Sequence, residues 1–207
     1  MPAILLASAS ERRRMMMEEL SSEESIELRF CTLDGEEPAP SSGLEVNLQV
    51  EGACLNKARF VALEKNKAEG FDIVVVSDTL VEDPDDFQMA LGKPKDEFEA
   101  TSTLIRLSGR RHKVWSSTAI INRGSEGMPI GSGWNARIFT DYSIVEFDEI
   151  DSEIMEYLIG NGSWIGKAGG YDLAGDGGKF SRIIIGDEST VLGLSIGAVE
   201  ELKRILS

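Results

Sequence analysis

Three consecutive arginines occupy positions 12–14, in the first turn of a helix that the sequence predicts over residues 11–20. The N-terminal end of a helix carries a partial positive charge, so cations are unfavourable there unless an anion joins them. Backbone N–H groups and arginine side chains could together bind one phosphate group at this place. The spacing leaves one alternative open, a solvent-exposed basic face that pairs with Glu18 or Glu19.

An aspartate follows a strongly apolar segment. Residues 71–76 are rich in β-branched side chains, as is typical of a strand buried on both faces, and the predicted strand ends at Ser77-Asp78-Thr79. A carboxylate at the carboxyl end of such a strand can hold a divalent cation or orient a water molecule. An aspartate that starts a turn or caps a helix would produce the same pattern.

The remaining polar candidates are isolated in the sequence. Lys57 and Lys93 could each contact phosphate or lie on the solvated surface. Glu36 and Glu37 could bind a metal ion, although acidic loops are also common on soluble proteins. His112 is the only histidine, and one histidine does not make a typical zinc site, so we expect it to serve in packing.

These residues are distributed over alternating helix and strand signals, which predict an α/β fold with a mixed sheet. We expect helices at 11–20, 50–69, 96–107, 152–159 and 196–206, and strands at 3–7, 71–76, 112–121, 136–147 and 180–185. Residues 160–178 form a glycine-rich stretch. In such sheets ligands bind beyond the carboxyl ends of strands, which is where Ser8 and Asp78 are expected.

The composition restricts the class of protein. The chain has 207 residues, which suits a single domain over 1–207, and its net charge is -15 at pH 7. We expect no nucleic-acid polymer as a partner, although a local group of cations could still bind a small anion. No apolar segment approaches the ~20 residues of a membrane span, so no membrane contact is expected. Two cysteines are too few for a disulfide framework, which predicts a cytoplasmic protein.

Short motifs spread along the chain combine into one pattern. Residues 6–13 read Leu-Ala-Ser-Ala-Ser-Glu-Arg-Arg, residues 77–81 read Ser-Asp-Thr-Leu-Val, and residues 107–114 read Leu-Ser-Gly-Arg-Arg-His-Lys-Val. The others are Lys57-Ala58, Lys93-Pro94, Lys167-Ala168-Gly169-Gly170-Tyr171 and Val191-Leu192-Gly193-Leu194. In this order they resemble the signatures of the Maf family of nucleotide pyrophosphatases. Each motif is weak alone, but together they are highly specific.

The resemblance implies an elongated mixed β-sheet with flanking helices, arranged as two lobes around a central cleft, as in Maf and ITPase-like proteins. It implies a house-cleaning enzyme that hydrolyses nucleoside triphosphates to the monophosphate and pyrophosphate. It also implies a divalent metal cation, Mg²⁺ or Mn²⁺, as cofactor and a homodimer as the assembled form.

Site roles follow from the same resemblance, position by position. Asp78 is implied as the general base and as a metal ligand. Glu37 is implied as a further metal or water ligand, with Glu36 as the alternative because the two are adjacent. The positions implied to contact substrate are Ser8, Arg12, Arg13, Lys57, Thr79, Lys93 and Ala174.

Departures from the family pattern bear on substrate choice. Glu11 stands for the family proline, Ser116-Ser117 for Thr-Gly, and Ser195 for the closing proline. Thr79 fits the subgroup that prefers dTTP and UTP, whereas Ala174 replaces the glutamine of that subgroup. Glutamine has a donor and an acceptor that could read the edge of a pyrimidine, and alanine has neither. We therefore expect cleavage of UTP and dTTP with weaker discrimination against other or modified triphosphates.

A second function belongs to another class. Family members are also linked to septum formation, so the chain could be a nucleotide-binding regulator of cell division with little hydrolysis. Asp78 discriminates between the two hypotheses, because a pure binding protein has little need of a general base.

Overall fold

The computed structural model of the protein describes residues 2–21, 26–33, 43–63 and 68–206. Its strands are β1 (Ala3–Ala7), β2 (Glu27–Cys31), β3 (Ile73–Glu82), β4 (Ala90–Leu91), β5 (Arg111–Asn122), β6 (Met128–Gly131), β7 (Trp134–Phe147) and β8 (Ser181–Ile185). Its helices are α1 (Glu11–Ser21), α2 (Val46–Leu63), α3 (Glu97–Leu107), α4 (Ser152–Gly160), α5 (Glu188–Leu192) and α6 (Ile196–Leu206). Among these helices none is both long and apolar enough to cross a membrane.

The described strands form one mixed sheet of eight strands in the order β2-β1-β3-β5-β7-β6, with β4 paired to β3 and β8 paired to β7. β1 is parallel to both β2 and β3, and the pairings among the remaining described strands are antiparallel. Helices flank this sheet, so the expected α/β class with a mixed sheet is confirmed.

Three long strands run through both halves of the sheet. β5 pairs with β3 from Ile73 to Val81, and the whole length of β5 pairs with β7. On the edge that faces away from β5, β3 and β7 each pair with two short strands. β1 pairs with the beginning of β3 and β4 with its end, while β6 and β8 divide the outer edge of β7 in the same way. Two halves joined by three strands is the geometry of a two-lobed molecule.

The helices cover the two halves differently. In the first half, α2 packs on one face through Cys54, Ala58 and Val61, with the spacing of one helix face. α1 and α6 pack on the other face, where Met17 and Leu202 meet the opposite side chains of β1 and β3. In the second half, α3 and α4 pack against β3, β5 and β7 in a separate apolar cluster.

Most of the expected helices and strands are confirmed, with ends that differ by a few residues. The sequence did not predict β2, β4, β6 or α5, which have five residues or fewer and so carry little periodicity. The expected end of the strand at Ser77-Asp78-Thr79 is wrong, because β3 continues to Glu82. β5 pairs with β3 through this region, and that partner keeps the chain extended where local sequence suggests a turn.

His112 is a core residue of the second half. Its ring is 3% exposed and lies with its centroid 6.0 Å from that of Phe147 and 5.5 Å from that of Tyr171. Its Nε2 lies 2.8 Å from the hydroxyl oxygen of Tyr171. Burial lowers the pKa of His112 to about 4, so the imidazole is neutral at neutral pH. The expectation that this histidine serves in packing is confirmed.

We predict that this histidine makes the fold sensitive to acid. In the unfolded chain the pKa of His112 returns to its ordinary value of 6.5, so the unfolded state binds the proton more readily. The stability contributed by the neutral form is complete above pH 6.5 and is lost as the pH falls toward the folded pKa. Between pH 7.5 and pH 4.5 the free energy of unfolding should fall by ~2.5 kcal/mol, which urea titrations at both pH values would measure.

The control for this prediction is His112→Gln, which keeps a hydrogen-bonding side chain opposite Tyr171 but does not titrate. Its free energy of unfolding should change little over the same interval. An equal fall in the variant would show that other groups are responsible. Glu201 is not among them, because Arg204 and Arg137 hold its pKa at about 2 and its contribution is lost only below its ordinary pKa of 4.5.

Candidate active site

Among the described residues, no strand pairs with one edge of β3 over a short stretch between the two halves of the sheet, and we call residues 76–80 the uncovered stretch. β1 pairs with β3 as far as Val75, and β4 pairs with it from Val81. Between these points the described part of the chain pairs residues 76–80 with β5 alone. Asp78 lies in the middle of this stretch, so it is reached through the gap in the edge rather than from the end of its strand.

Asp78 forms an ion pair with a lysine of α2. Its Oδ1 lies 2.6 Å from Nζ of Lys57, and each side chain is 16% exposed. The two residues meet because α2 packs on the face of β3 to which Val76 and Asp78 point, with the sulfur of Cys54 3.8 Å from the carbonyl oxygen of Val76. Burial raises the pKa of Cys54 to about 12, so this thiol stays neutral beside the ion pair.

Arg13 lies on the opposite face of β3, and four of the groups to which it donates belong to described residues. Nε bonds to the carbonyl oxygen of Gly193 at 2.7 Å, and Nη2 bonds to Oγ1 of Thr79 at 2.8 Å. Nη1 bonds to the carbonyl oxygen of Ser77 at 3.0 Å and to Oγ of Ser8 at 3.3 Å. One guanidinium therefore joins the end of β1, the uncovered stretch of β3 and the turn between α5 and α6.

Gly193 must be glycine at this place. Its φ is +118°, and a Cβ atom would lie 2.8 Å from Nε of Arg13. A side chain at this position would both strain the backbone and displace the guanidinium. The motif position Gly193 thus belongs to the Arg13 network, a role that the sequence did not predict.

The hydroxyl of Thr79 is directed at protein groups. It accepts from Arg13 and lies 2.9 Å from Oγ of Ser116, which in turn donates to the carbonyl oxygen of Thr190 at 2.7 Å. Ser8 is similarly enclosed, since it is 9% exposed and its Oγ accepts from the amide of Ser10 at 3.2 Å. Both residues line the approach to the site through atoms that already have protein partners.

The glycine-rich segment, residues 160–178, is joined to α1 by one ion pair and contains a second one that shares the same carboxylate. Nη1 of Arg12 lies 3.2 Å from Oδ1 of Asp172, and Nζ of Lys167 lies 3.1 Å from Oδ2 of the same residue. Neither Lys167 nor Asp172 is among the residues predicted to contact phosphate, although Lys167 begins one of the motifs that carry the family resemblance. Their charges matter only because the fold brings them to Arg12.

Two other expected site residues, Lys93 and Ala174, lie on connecting segments rather than on β3 or α2. Lys93 is exposed on the loop between β4 and α3, which the glycine-rich segment holds through a 3.0 Å bond from the amide of Gly169 to the carbonyl oxygen of Gly92. Ala174 is exposed within that segment, and its amide donates to Asp172 at 3.2 Å. Glu37 and the adjacent Glu36 lie outside the described residues.

A pocket opens on the face of β3 that carries Arg13. Arg12 and Thr79 form its polar side, and Val81, Tyr171 and Leu173 contribute apolar surface. The lining of this pocket therefore combines one cation, Arg12, with apolar side chains.

The donor set also suits a metal ion that arrives with phosphate. Oδ1 of Asp78 accepts from Lys57, and its second oxygen makes no hydrogen bond within the described ranges. No group of three metal-binding side chains occurs among the described residues. Mg²⁺ is commonly bound by one or two carboxylates together with substrate phosphate oxygens, and Asp78 fits this mode.

The fold and the site define an α/β protein with cations and one carboxylate at an open strand edge. A model of the Maf-like protein family matches residues 3–205, and the chain belongs to this family. A dTTP/UTP pyrophosphatase of Gluconobacter oxydans is 34% identical over 98% of this chain and 86% of its own length. One of Clostridium beijerinckii is 32% identical over 95% of each chain.

The fold has a solved counterpart. The structure of a HAM1 protein from Coxiella burnetii matches with a TM-score of 0.55 at 16% sequence identity, covering 100% of this chain and 98% of that one. Likeness at this identity concerns the fold alone.

We predict that Arg13 stabilises the fold around the site. Arg13→Met keeps a long side chain but leaves the carbonyl oxygen of Ser77 and the hydroxyl of Thr79 without this donor. The free energy of unfolding should fall by ~2 kcal/mol, measured by urea denaturation at pH 7.5. Arg14→Met, a change of the same type at an exposed neighbouring position, should cost less than ~0.5 kcal/mol. Equal losses in the two variants would show that the Arg13 bonds do not stabilise the protein.

Proposed function

We propose that the protein hydrolyses nucleoside triphosphates to the monophosphate and pyrophosphate, with dTTP and UTP as substrates. The observation that carries the proposal is the Asp78–Lys57 ion pair in the uncovered stretch of β3, with Arg12 and the N-terminus of α1 on the other side of that strand. A carboxylate beside phosphate-binding groups is what attack by water on a phosphorus atom requires. The relatives described above carry the name of this activity.

In the proposed mechanism the cations hold the triphosphate while Asp78 acts on water. Lys57, Arg12 and Lys93 neutralise the phosphate oxygens, and the backbone N–H groups before α1 donate to one phosphate group. Asp78 orients a water molecule in line with the bond between the α-phosphorus and the bridging oxygen, and accepts its proton. The α-phosphate becomes the monophosphate, and the bridging oxygen leaves with pyrophosphate.

We further propose a divalent cation, Mg²⁺ or Mn²⁺, held by Asp78 and by the substrate, with Glu37 as a second ligand. When bound it would offset phosphate charge and lower the pKa of water near the reacting atom. The hydrogen bonds of Arg13 support a positioning role for that residue, since its N–H groups already bond to Ser8, Ser77, Thr79 and Gly193. Arg13 would hold the uncovered stretch of β3 in position beside the phosphate groups.

Two wider properties belong to the same proposal. Cys31 and Cys54 form no disulfide with each other, which supports a reducing compartment such as the cytoplasm. A homodimer is proposed from the family resemblance, and sedimentation of the purified protein would test it. A regulator that binds nucleotide without hydrolysis is less well supported, because it leaves the carboxylate of Asp78 without a use.

We predict metal-dependent release of pyrophosphate. UTP or dTTP with Mg²⁺ or Mn²⁺ should yield one pyrophosphate per monophosphate, and chelation of the metal should abolish turnover. Chromatography of the nucleotide product together with a pyrophosphate assay would measure both products. Orthophosphate and a nucleoside diphosphate as the first products would place cleavage at the wrong phosphorus and refute the proposal.

We predict that Asp78→Asn abolishes most turnover while the protein stays folded. The amide keeps the shape of the carboxylate but can neither accept the proton nor neutralise a metal ion, so kcat should fall ~10²–10⁴-fold. The control is Asp148→Asn, which removes one negative charge from an exposed ion pair with Arg182 and should leave kcat unchanged. Near-normal kcat in Asp78→Asn, with circular dichroism confirming the fold, would remove Asp78 from the mechanism.

A further inference from the structure

One carboxylate, Asp172, contacts both Arg12, which the proposed function assigns to phosphate, and a second cation, Lys167. The two oxygens of Asp172 contact different cations, Oδ1 at 3.2 Å from Arg12 and Oδ2 at 3.1 Å from Lys167. A phosphate group also presents two oxygens to two donors in this way. Asp172 therefore makes contacts of the kind that a substrate phosphate would make.

These contacts can be exchanged for a ligand. The side chains of Arg12, Asp172 and Lys167 are 22%, 18% and 28% exposed, so water and ions reach the cluster. Each contact is a single N–O approach rather than a paired one, and ion pairs of this kind are weak. Asp172 would not be left without a donor on exchange, because the amide of Ala174 lies 3.2 Å from its Oδ1.

A ligand that binds both cations has to displace Asp172, because of where this cluster of three side chains lies. Arg12 projects from α1, whereas Lys167 and Asp172 belong to the glycine-rich segment. Arg12 and the neighbouring Tyr171 both line the pocket beside β3. A phosphate that enters between α1 and this segment meets Asp172 on both donors and must replace it.

We propose that Asp172 is a positioning residue that competes with phosphate for Arg12 and Lys167, and so weakens the binding of pyrophosphate and favours its release. The inference rests on the proposed function in taking this cluster as part of the phosphate site. Two cations and one carboxylate leave one net positive charge for the ligand. When pyrophosphate departs, the carboxylate returns, so the cations are not left unpaired.

The test is the affinity of inorganic pyrophosphate for Asp172→Asn, measured by calorimetry at fixed Mg²⁺ without any triphosphate. Removing the competing charge should tighten pyrophosphate binding about tenfold and lower KM for UTP, without an increase in kcat. Asp172→Glu keeps the charge and should bind pyrophosphate like the wild type. Asp148→Asn removes the same charge from the exposed Arg182 ion pair and should also leave the affinity unchanged.

Unchanged or weaker binding of pyrophosphate by Asp172→Asn would overturn the inference, because the ion pairs would then only hold the segment in place. A second variant covers the case in which Asp172→Asn does not fold. Lys167→Gln should weaken pyrophosphate binding about tenfold, and an unaffected affinity would overturn the assignment of the cluster to phosphate. If the wild type released no pyrophosphate from UTP while Asp172→Asn still bound pyrophosphate more tightly, the proposed function would fail and this inference would stand.

Discussion

Arg13 carries a permanent positive charge, and the geometry of the site depends on the groups that accept hydrogen bonds from its guanidinium. Arg13 is partly buried, and a charge that is removed from water is costly unless its donors find acceptors, so the chain around it is constrained. Its described acceptors are two carbonyl oxygens and two hydroxyls, contributed by the end of β1, by β3 and by the α5–α6 turn. These four groups orient the guanidinium and connect three separate parts of the chain through it.

The site contains several cations although the chain as a whole is strongly acidic. The net charge is -15, yet Arg12, Lys57 and Lys167 are each held by a carboxylate near the uncovered edge of β3. Ion pairing allows cations to gather there before any ligand is present, because each cation is partly neutralised. A phosphate ligand then exchanges one anionic partner for another rather than entering an empty positive field, which moderates how tightly it is bound.

The sheet makes this arrangement possible because two short strands, β1 and β4, pair with different parts of one edge of β3. A strand as long as β3 would normally present a continuous row of paired backbone groups to its neighbour. Here β1 stops at Ala7 and β4 begins only opposite Val81, so five residues between them face the space where the α1 N-terminus and the glycine-rich segment approach. β5 keeps those residues extended from the other side, and Asp78 is thereby held on a rigid strand instead of a loop.

Local patterns in the sequence determined whether most elements are helices or strands, and which charged residues are candidates for the site. The face of α2 that carries Cys54 and Ala58 is readable because helix periodicity depends only on near neighbours. The packing of His112 and the α/β class follow from composition and alternation in the same way. The motifs also identified Asp78 and Lys57 as separate candidates, although nothing in their spacing showed that they are partners.

The tertiary structure decided which of these residues meet, and where the strands end. The continuation of β3 through Asp78 depends on β5, whose residues come some forty positions later, so a local reading of Ser77-Asp78-Thr79 as a strand end is wrong. The pairing of Arg12 with Asp172 spans 160 positions and leaves no trace in either local sequence. Electrostatic contacts depend on distance in space, and the sequence by itself fixes distance only between near neighbours along the chain.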